Sequence, residues 1–152
     1  MKIKIEVDHT LVENEVIIKC SEIDQNIQKI QAVISDITLP YEKWFFLKDG
    51  KEYYLPLDTI LFFETDNQNI HAHTVNEVYI IKYKLYELEE KLPKNFLRVS
   101  KSTILNLNHI YSIDKNLTSS SIVQFYKTHK RVYVSRYYYK QLRELLERRK
   151  SI

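Results

Sequence analysis

Glycine is nearly absent from this chain: Gly50 is the only one among 152 residues. The sequence has no Gly-rich phosphate loop and no nucleophile elbow, two motifs that depend on glycine at tight turns. Proline occurs three times, and so little of both residues argues against long flexible linkers. Cys20 is the only cysteine. It excludes an intramolecular disulfide, fits a reducing compartment, and reads as a small buried residue of a strand. No apolar run approaches the ~18 residues of a membrane span. The N-terminus, with charges at Lys2, Lys4, Glu6 and Asp8, has no signal-peptide core. A cytoplasmic protein is expected. No zinc deaminase motif occurs either. His71 and His73 lie two apart on one side of a strand but have no convincing third ligand. Catalytic residues, metals and cofactors are therefore not expected, and the chain does not read as an enzyme.

Hydrophobic residues make up 44% and charged residues 28%, ordinary values for a globular protein. The length suits one domain, or a small domain with an appendage. Tyrosine is abundant, with twelve residues, and its apolar body and polar tip suit strands and binding surfaces. Charge is segregated. Residues 1–90 hold 9 Lys/Arg and 17 Asp/Glu, a net −8; residues 91–152 hold 14 and 3, a net +11, and the two halves give the chain's +3. A basic half joined to an acidic half is the footprint of a polyanion-binding surface with a separate part.

Along the chain, residues 2–8 alternate apolar and charged, and residues 15–20 are mostly apolar; both read as strands. Ser21 and Asp24 resemble a capping box opening a helix. On that helix Ile23, Ile27, Ile30, Ile34 and Ile37 repeat at spacings of 4, 3, 4 and 3, a narrow apolar seam, and Pro40 ends the segment. Residues 1–39 are thus expected to form a strand-strand-helix appendage for dimerisation or docking, and residues 40–152 the basic body. In the body, Asp49-Gly50 between apolar runs signals a hairpin. Strands are expected over residues 60–65, 70–75, 78–83, 121–126 and 131–134. Leu85, Leu88 and Leu92 mark a short helix, and Leu142, Leu145 and Leu146 a final one. Many short strands broken by polar turns indicate a mainly β (α+β) fold.

The stretch from Asn95 to Ile113 organises the body. Phe96, Leu97 and Val99 predict a short strand, Ser102 an N-cap for one helical turn at Thr103-Ile104-Leu105, and Ile110 the next strand. Arg98, Ser100, Lys101 and Ser102 would then form a small cationic, hydrogen-bonding ridge.

Phe96-Leu97-Arg98-Val99-Ser100-Lys101-Ser102-Thr103-Ile104-Leu105-Asn106 with Ile110 resembles the signature of the LytTR DNA-binding domain. Ile60-Leu61-Phe62-Phe63-Glu64 resembles that family's strand before its DNA-facing loop, and Val134-Ser135-Arg136 its strand-to-helix junction. Ser100 stands where the family often has His. The resemblance runs from about residue 45 to about residue 146. It implies an elongated stack of small antiparallel sheets that meets DNA by turns instead of a recognition helix. It also implies a stand-alone bacterial transcription regulator without a receiver domain. The partners it implies are double-stranded DNA, a second copy on repeated half-sites, and a small membrane-bound inhibitor protein.

The candidate DNA-binding residues are Asn69, His71, Arg98, Ser100, Lys101, Ser102, Arg136 and Tyr137. Amides in the turn after Glu64 suit base edges, and Asn69 and His71 compete for one role there. Arg98 is divided between phosphate contact and an ion pair with Glu64 or Glu87, and Ser102 between phosphate contact and capping. Arg136, at a helix start, suits guanine, and Tyr137 suits phosphate. The competing function is a protein-interaction module whose basic half binds an acidic partner.

Overall fold

The Asp49-Gly50 pair is the first point at which the chain folds back on itself in a ladder. Both residues take positive φ, 51° and 73°. Two such residues twist a tight turn to match its strands, and glycine meets that demand at no steric cost. The turn joins β1 (Phe46–Lys48) to β2 (Lys51–Tyr53). The computed structural model describes residues 2–12, 14–38, 44–116 and 118–150. It divides the chain into two compact units, residues 1–42 and 43–152.

The described residues of the second unit form ten strands in two antiparallel sheets. The remaining strands are β3 (Phe62–Asp66), β4 (Asn69–His73), β5 (Val78–Ile81), β6 (Phe96–Arg98), β7 (Thr103–Asn106), β8 (Ile110–Asp114), β9 (Ser121–Phe125) and β10 (Arg131–Val134). The larger sheet has the order β2-β1-β5-β4-β3-β7-β6, and the smaller β10-β9-β8. The unit's described α-helices are α2 (Leu85–Lys91) and α3 (Arg136–Lys150); α1 (Gln25–Thr38) belongs to the first unit.

Alternation along the strands splits the core in two. Phe46, Phe63, Ile70, Ala72, Ile81 and Ile104 point to one face of the larger sheet and are covered by Leu85 and Leu88 of α2. Phe62, Leu97, Val99 and Leu105 point to the other, against Val123, Phe125, Val132 and Val134 of the smaller sheet and Leu142 of α3. The leucine stripes anticipated for both helices thus bury their faces.

Three expectations are overturned. Thr103-Ile104-Leu105 is strand, not helix, because β3 and β6 both offer it ladders: Leu105 pairs with Phe62 and with Leu97. β-branched Thr103 and Ile104 suit that setting, and Ser102 therefore caps nothing. Residues 2–8 and 15–20 form no strand. Their side chains are exposed, Ile3 and Val16 among them, and a lone hairpin has no sheet to stabilise it. Cys20 is accordingly exposed instead of buried. The helix of the first unit, α1, spans Gln25–Thr38, and its cap is Asp24, whose Oδ1 accepts from Ile27 N at 2.9 Å. Along it Ile27, Ile30 and Ile34 are half-buried, while Ile23 is 69% exposed. The side chain of Ile37, and Pro40, lie outside the described residues.

Asn106 is fully buried. Its Nδ2 donates to Ile60 O at 2.9 Å, and its Oδ1 accepts from Asn95 Nδ2 at 2.9 Å and from Asn108 N at 3.1 Å. We predict that Asn106→Leu destabilises the protein by about 3 kcal/mol, since it strands three polar groups at partly buried positions. Urea denaturation checks this, and a loss below about 1 kcal/mol would show that water replaces the amide.

His73 stacks on Phe62, ring centroids 4.1 Å apart and planes at 14°. Burial, then the charges of Lys130 and His71, push its pKa down from 6.5 to about 4. The unfolded chain therefore binds a proton here that the folded one refuses, so stability falls as pH drops from about 6.5 to 4. The urea midpoint of the native protein should fall more steeply across that window than that of His73→Gln. Parallel slopes would assign the acid sensitivity elsewhere.

Candidate nucleic-acid interface

Three connections meet at one end of the second unit. The β3–β4 turn is Asn67-Gln68, closed by the pair Asp66 and Asn69. Asn67 takes φ 55°, a left-handed conformation that asparagine tolerates better than most residues. The β6–β7 turn runs through Ser100, Lys101 and Ser102 and is closed by Val99 N donating to Thr103 O at 3.0 Å. The third is the β10–α3 junction at Ser135. Two backbone hydrogen bonds join the three: Thr65 N donates to Ser102 O at 2.8 Å, and Ser135 N donates to Val99 O at 2.9 Å.

Arg98 is turned inward on this scaffold. Its Nε donates to Ser100 O at 3.0 Å and its Nη2 to Lys101 O at 2.7 Å. Its Nη1 pairs with Glu89 Oε2 of α2 at 2.9 Å. One guanidinium thus braces two carbonyls of the turn, a task its rigid fork of donors suits. The ion pair expected with Glu64 or Glu87 is made instead with Glu89: alternation puts Arg98 beside Ile104 on the α2 face of the sheet, away from Glu64, and of the α2 carboxylates it is Glu89 that meets it. Ser100 and Ser102 also hold the turn: Ser102 N donates to Ser100 Oγ at 3.2 Å, and the two hydroxyls lie 3.3 Å apart. Lys101 is exposed at the apex.

At the junction Ser135 O accepts from Tyr138 N and Tyr139 N at 3.1 and 3.0 Å, which starts α3. Arg136 is its first residue and exposed. Tyr137 is 85% exposed and meets the edge of Tyr138, centroids 5.0 Å apart. Tyr138 and Tyr139 pack on the core. Ser100, Lys101, Ser102, Ser135, Tyr137 and Tyr138 line one open depression of about 630 Å³. Ser135 Oγ is buried beside it and has no hydrogen-bond partner among the described residues. Ser135 and Tyr138 were not anticipated as part of this surface. The sequence signal for Ser135 is its place in the Val134-Ser135-Arg136 strand-to-helix junction, and none marks Tyr138.

The two alternatives in the first turn separate in space. Asn69 is exposed at the tip of the hairpin, whereas His71 is half-buried opposite Glu64. His71 and His73 share a face, yet no cluster of three or more potential metal ligands exists among the described residues. No described helix is long and apolar enough to cross a membrane.

Comparison with known proteins agrees with this arrangement. The LytTr DNA-binding domain family matches residues 50–147. A solved LytTr DNA-binding domain from Bacillus cereus superimposes with a TM-score of 0.63 at 27% identity, covering 68% of this chain and 94% of that one. Over the whole length, the chain is similar to an uncharacterized HTH-type transcriptional regulator of Staphylococcus aureus (strain NCTC 8325 / PS 47). The two are 29% identical over 148 residues, 96% of this chain and 98% of the relative. The counterpart from strain COL matches equally well. The family match covers more than half of the sequence, and the solved domain shares the fold of the second unit: this chain belongs to the LytTr DNA-binding domain family.

Proposed function

We propose that this protein is a cytoplasmic, sequence-specific transcription regulator that reads double-stranded DNA with the turns at one end of its β unit. The observation that carries this reading is the backbone coupling of three separate connections, with Lys101 at the apex of one and Arg136 at the start of another. In this reading Lys101, Arg136 and Asn69 reach base edges, where amide and guanidinium groups discriminate best. Asn69 is preferred to His71 because it stands exposed at the tip. Tyr137, Ser100 and Ser102 meet phosphates, which position a protein without specifying sequence. Arg98 acts at one remove by holding the Lys101 turn in shape.

Lys101→Ala and Arg136→Ala should each weaken binding to the cognate duplex by about 1–3 kcal/mol and flatten the preference over a scrambled one. Binding isotherms on both duplexes decide the matter. Equal losses on the two would move the residue to the phosphate class, and no loss on either would remove this end of the molecule from the interface.

The first unit has a separate task in this proposal. Ile27, Ile30 and Ile34 form a narrow seam on α1, the width of a coiled-coil contact. A second copy of the chain would cover it and place two basic bodies on half-sites about one helical turn, ~34–36 Å, apart. A membrane-bound inhibitor protein would act by occupying the same seam. Ile30→Asp in the full chain should sediment as a monomer. It should lose most of the gain, about 10²–10⁴-fold, that two linked sites give over one, while single half-site affinity stays as it was. An unchanged sedimentation coefficient would put the self-association surface elsewhere.

A further inference from the structure

A fourth connection lies at the same end of the molecule and is absent from the family signature discussed above. β8 ends at Asp114 and β9 begins at Ser121, so the loop between them starts at Lys115. Strand register places it: Ser121 pairs with Val134 and Asp114 with Ile122. Val134 immediately precedes Ser135, whose amide is bonded to Val99 in the Lys101 turn. The loop therefore emerges about 4.8 Å, one strand spacing, from the strand that delivers Arg136.

A second observation ties it there. Lys115 Nζ lies over the Tyr139 ring, 5.5 Å from its centroid. Tyr139 is in the first turn of α3, three residues after Arg136, an axial rise of about 4.5 Å. The ammonium group is thus anchored beside the start of the helix. The loop's other described residues are polar and exposed: Asn116, Thr118, Ser119 and Ser120. Thr118 N and Oγ1 both donate to Asn116 Oδ1 at 3.1 Å, and Asn116 N donates to Ser121 Oγ at 3.3 Å. The asparagine oxygen is consumed by this bonding, which leaves its amide nitrogen as the outward chemistry. No acidic residue occurs from 115 to 121. The nearest along the chain is Asp114, at the end of the strand. The loop presents an ammonium group, an amide donor and two serine hydroxyls, the side chains that make up most phosphate contacts to duplex DNA.

We propose that the β8–β9 loop is a further DNA-backbone clamp, in which Lys115, Asn116, Ser119 and Ser120 hold phosphates next to the groove entered by Arg136. The inference rests on the reading of this end as the DNA-facing one. With about 3.4 Å of helix axis per nucleotide on a strand, a loop one or two strand spacings from the junction spans the next two or three phosphates. It carries affinity and no sequence information.

The test uses the full-length protein on cognate and scrambled duplexes over a range of salt. Lys115→Ala should weaken binding by the same factor on both duplexes and reduce the slope of log affinity against log salt by about 0.9. Lys115→Arg should restore both. The double variant Ser119→Asp/Ser120→Asp should weaken binding further on both duplexes. Ser112→Asp, a charge change farther back on β8, should match the native protein. An unchanged slope for Lys115→Ala, or a double variant no weaker than Ser112→Asp, overturns the proposal. A loss confined to the cognate duplex does so as well, since it would mean base reading. Lys101→Ala and Arg136→Ala, measured alongside, isolate the premise. If they bind as the native protein does, this end is not the DNA-facing one. If they lose binding while the loop variants do not, only the clamp fails.

Discussion

The buried Asn106 side chain is the joint on which the second unit depends. A single amide has two acceptor sites and two donors, and three of its bonds are made to separate parts of the chain. They reach Ile60 ahead of β3, Asn95 ahead of β6, and Asn108 in the 3-10 turn Leu107–His109 that follows β7. Backbone bonds run beside them, from Asn106 N to Leu61 O and from Leu107 N to Asn95 O. A leucine here would pack as well and pair with none of them. Because β7 lies between β3 and β6, a shift of one residue in its register would move Leu105 and Ile104 to the wrong faces. Asn106 opposes such a shift, since only one register brings its amide to all three partners.

Register at one end of β7 becomes turn geometry at the other. Thr103 opens the strand opposite Glu64, so fixing Asn106 also fixes where Ser100, Lys101 and Ser102 leave the sheet. Arg98 then draws the Ser100 and Lys101 carbonyls onto its guanidinium, and Glu89 anchors it from α2. Holding a contact loop in its bound shape removes ordering cost from association. Burying an arginine's charge on the inner side of the turn therefore has a use that a solvent-facing arginine lacks. It gives up the reach of one guanidinium for rigidity in the turn that carries Lys101.

Much of this was legible in the sequence, and what was not has identifiable causes. Asp49-Gly50 specified its hairpin because two adjacent positive-φ positions admit few other residues. The Leu85 and Leu88 pair and the Leu142 stripe announced helices, because an apolar face must be covered. Thr103–Leu105 misled because a three-residue run carries no period, and one of the two ladders that make it a strand comes from β3, far back along the chain. Residues 2–8 misled in the opposite sense: their alternation is that of a strand, but pairing needs a neighbour the pattern does not supply. Arg98 and Glu89 could not be matched in advance, since the choice between Glu64 and the carboxylates of α2 depends on which face of the sheet the arginine occupies, and the choice between Glu87 and Glu89 on how α2 lies over it. The three turns were recognisable one by one. Their meeting through the Thr65 and Ser135 amides is long-range and leaves no mark on composition or spacing.

The net +11 of residues 91–152 acts at two ranges, and the structure separates them. Long-range steering depends on the summed charge and is indifferent to internal pairing. Contact needs cations that are not already committed. Arg98 is bound to Glu89, Arg143 to Glu147, and Arg149 to Asn108. Lys130 Nζ donates to Thr74 O and Glu77 O, and burial pulls its pKa down. These four side chains add to the field and little to contact. The counterion release that makes affinity salt-dependent counts phosphates neutralised by direct contact. The salt slope should therefore report far fewer charges than the fourteen cations of this segment. What remains at the coupled end is Lys101 on its braced turn, Arg136 at the start of α3 and Lys115 over the Tyr139 ring, three exposed cations whose position, and not number, decides what they can contact.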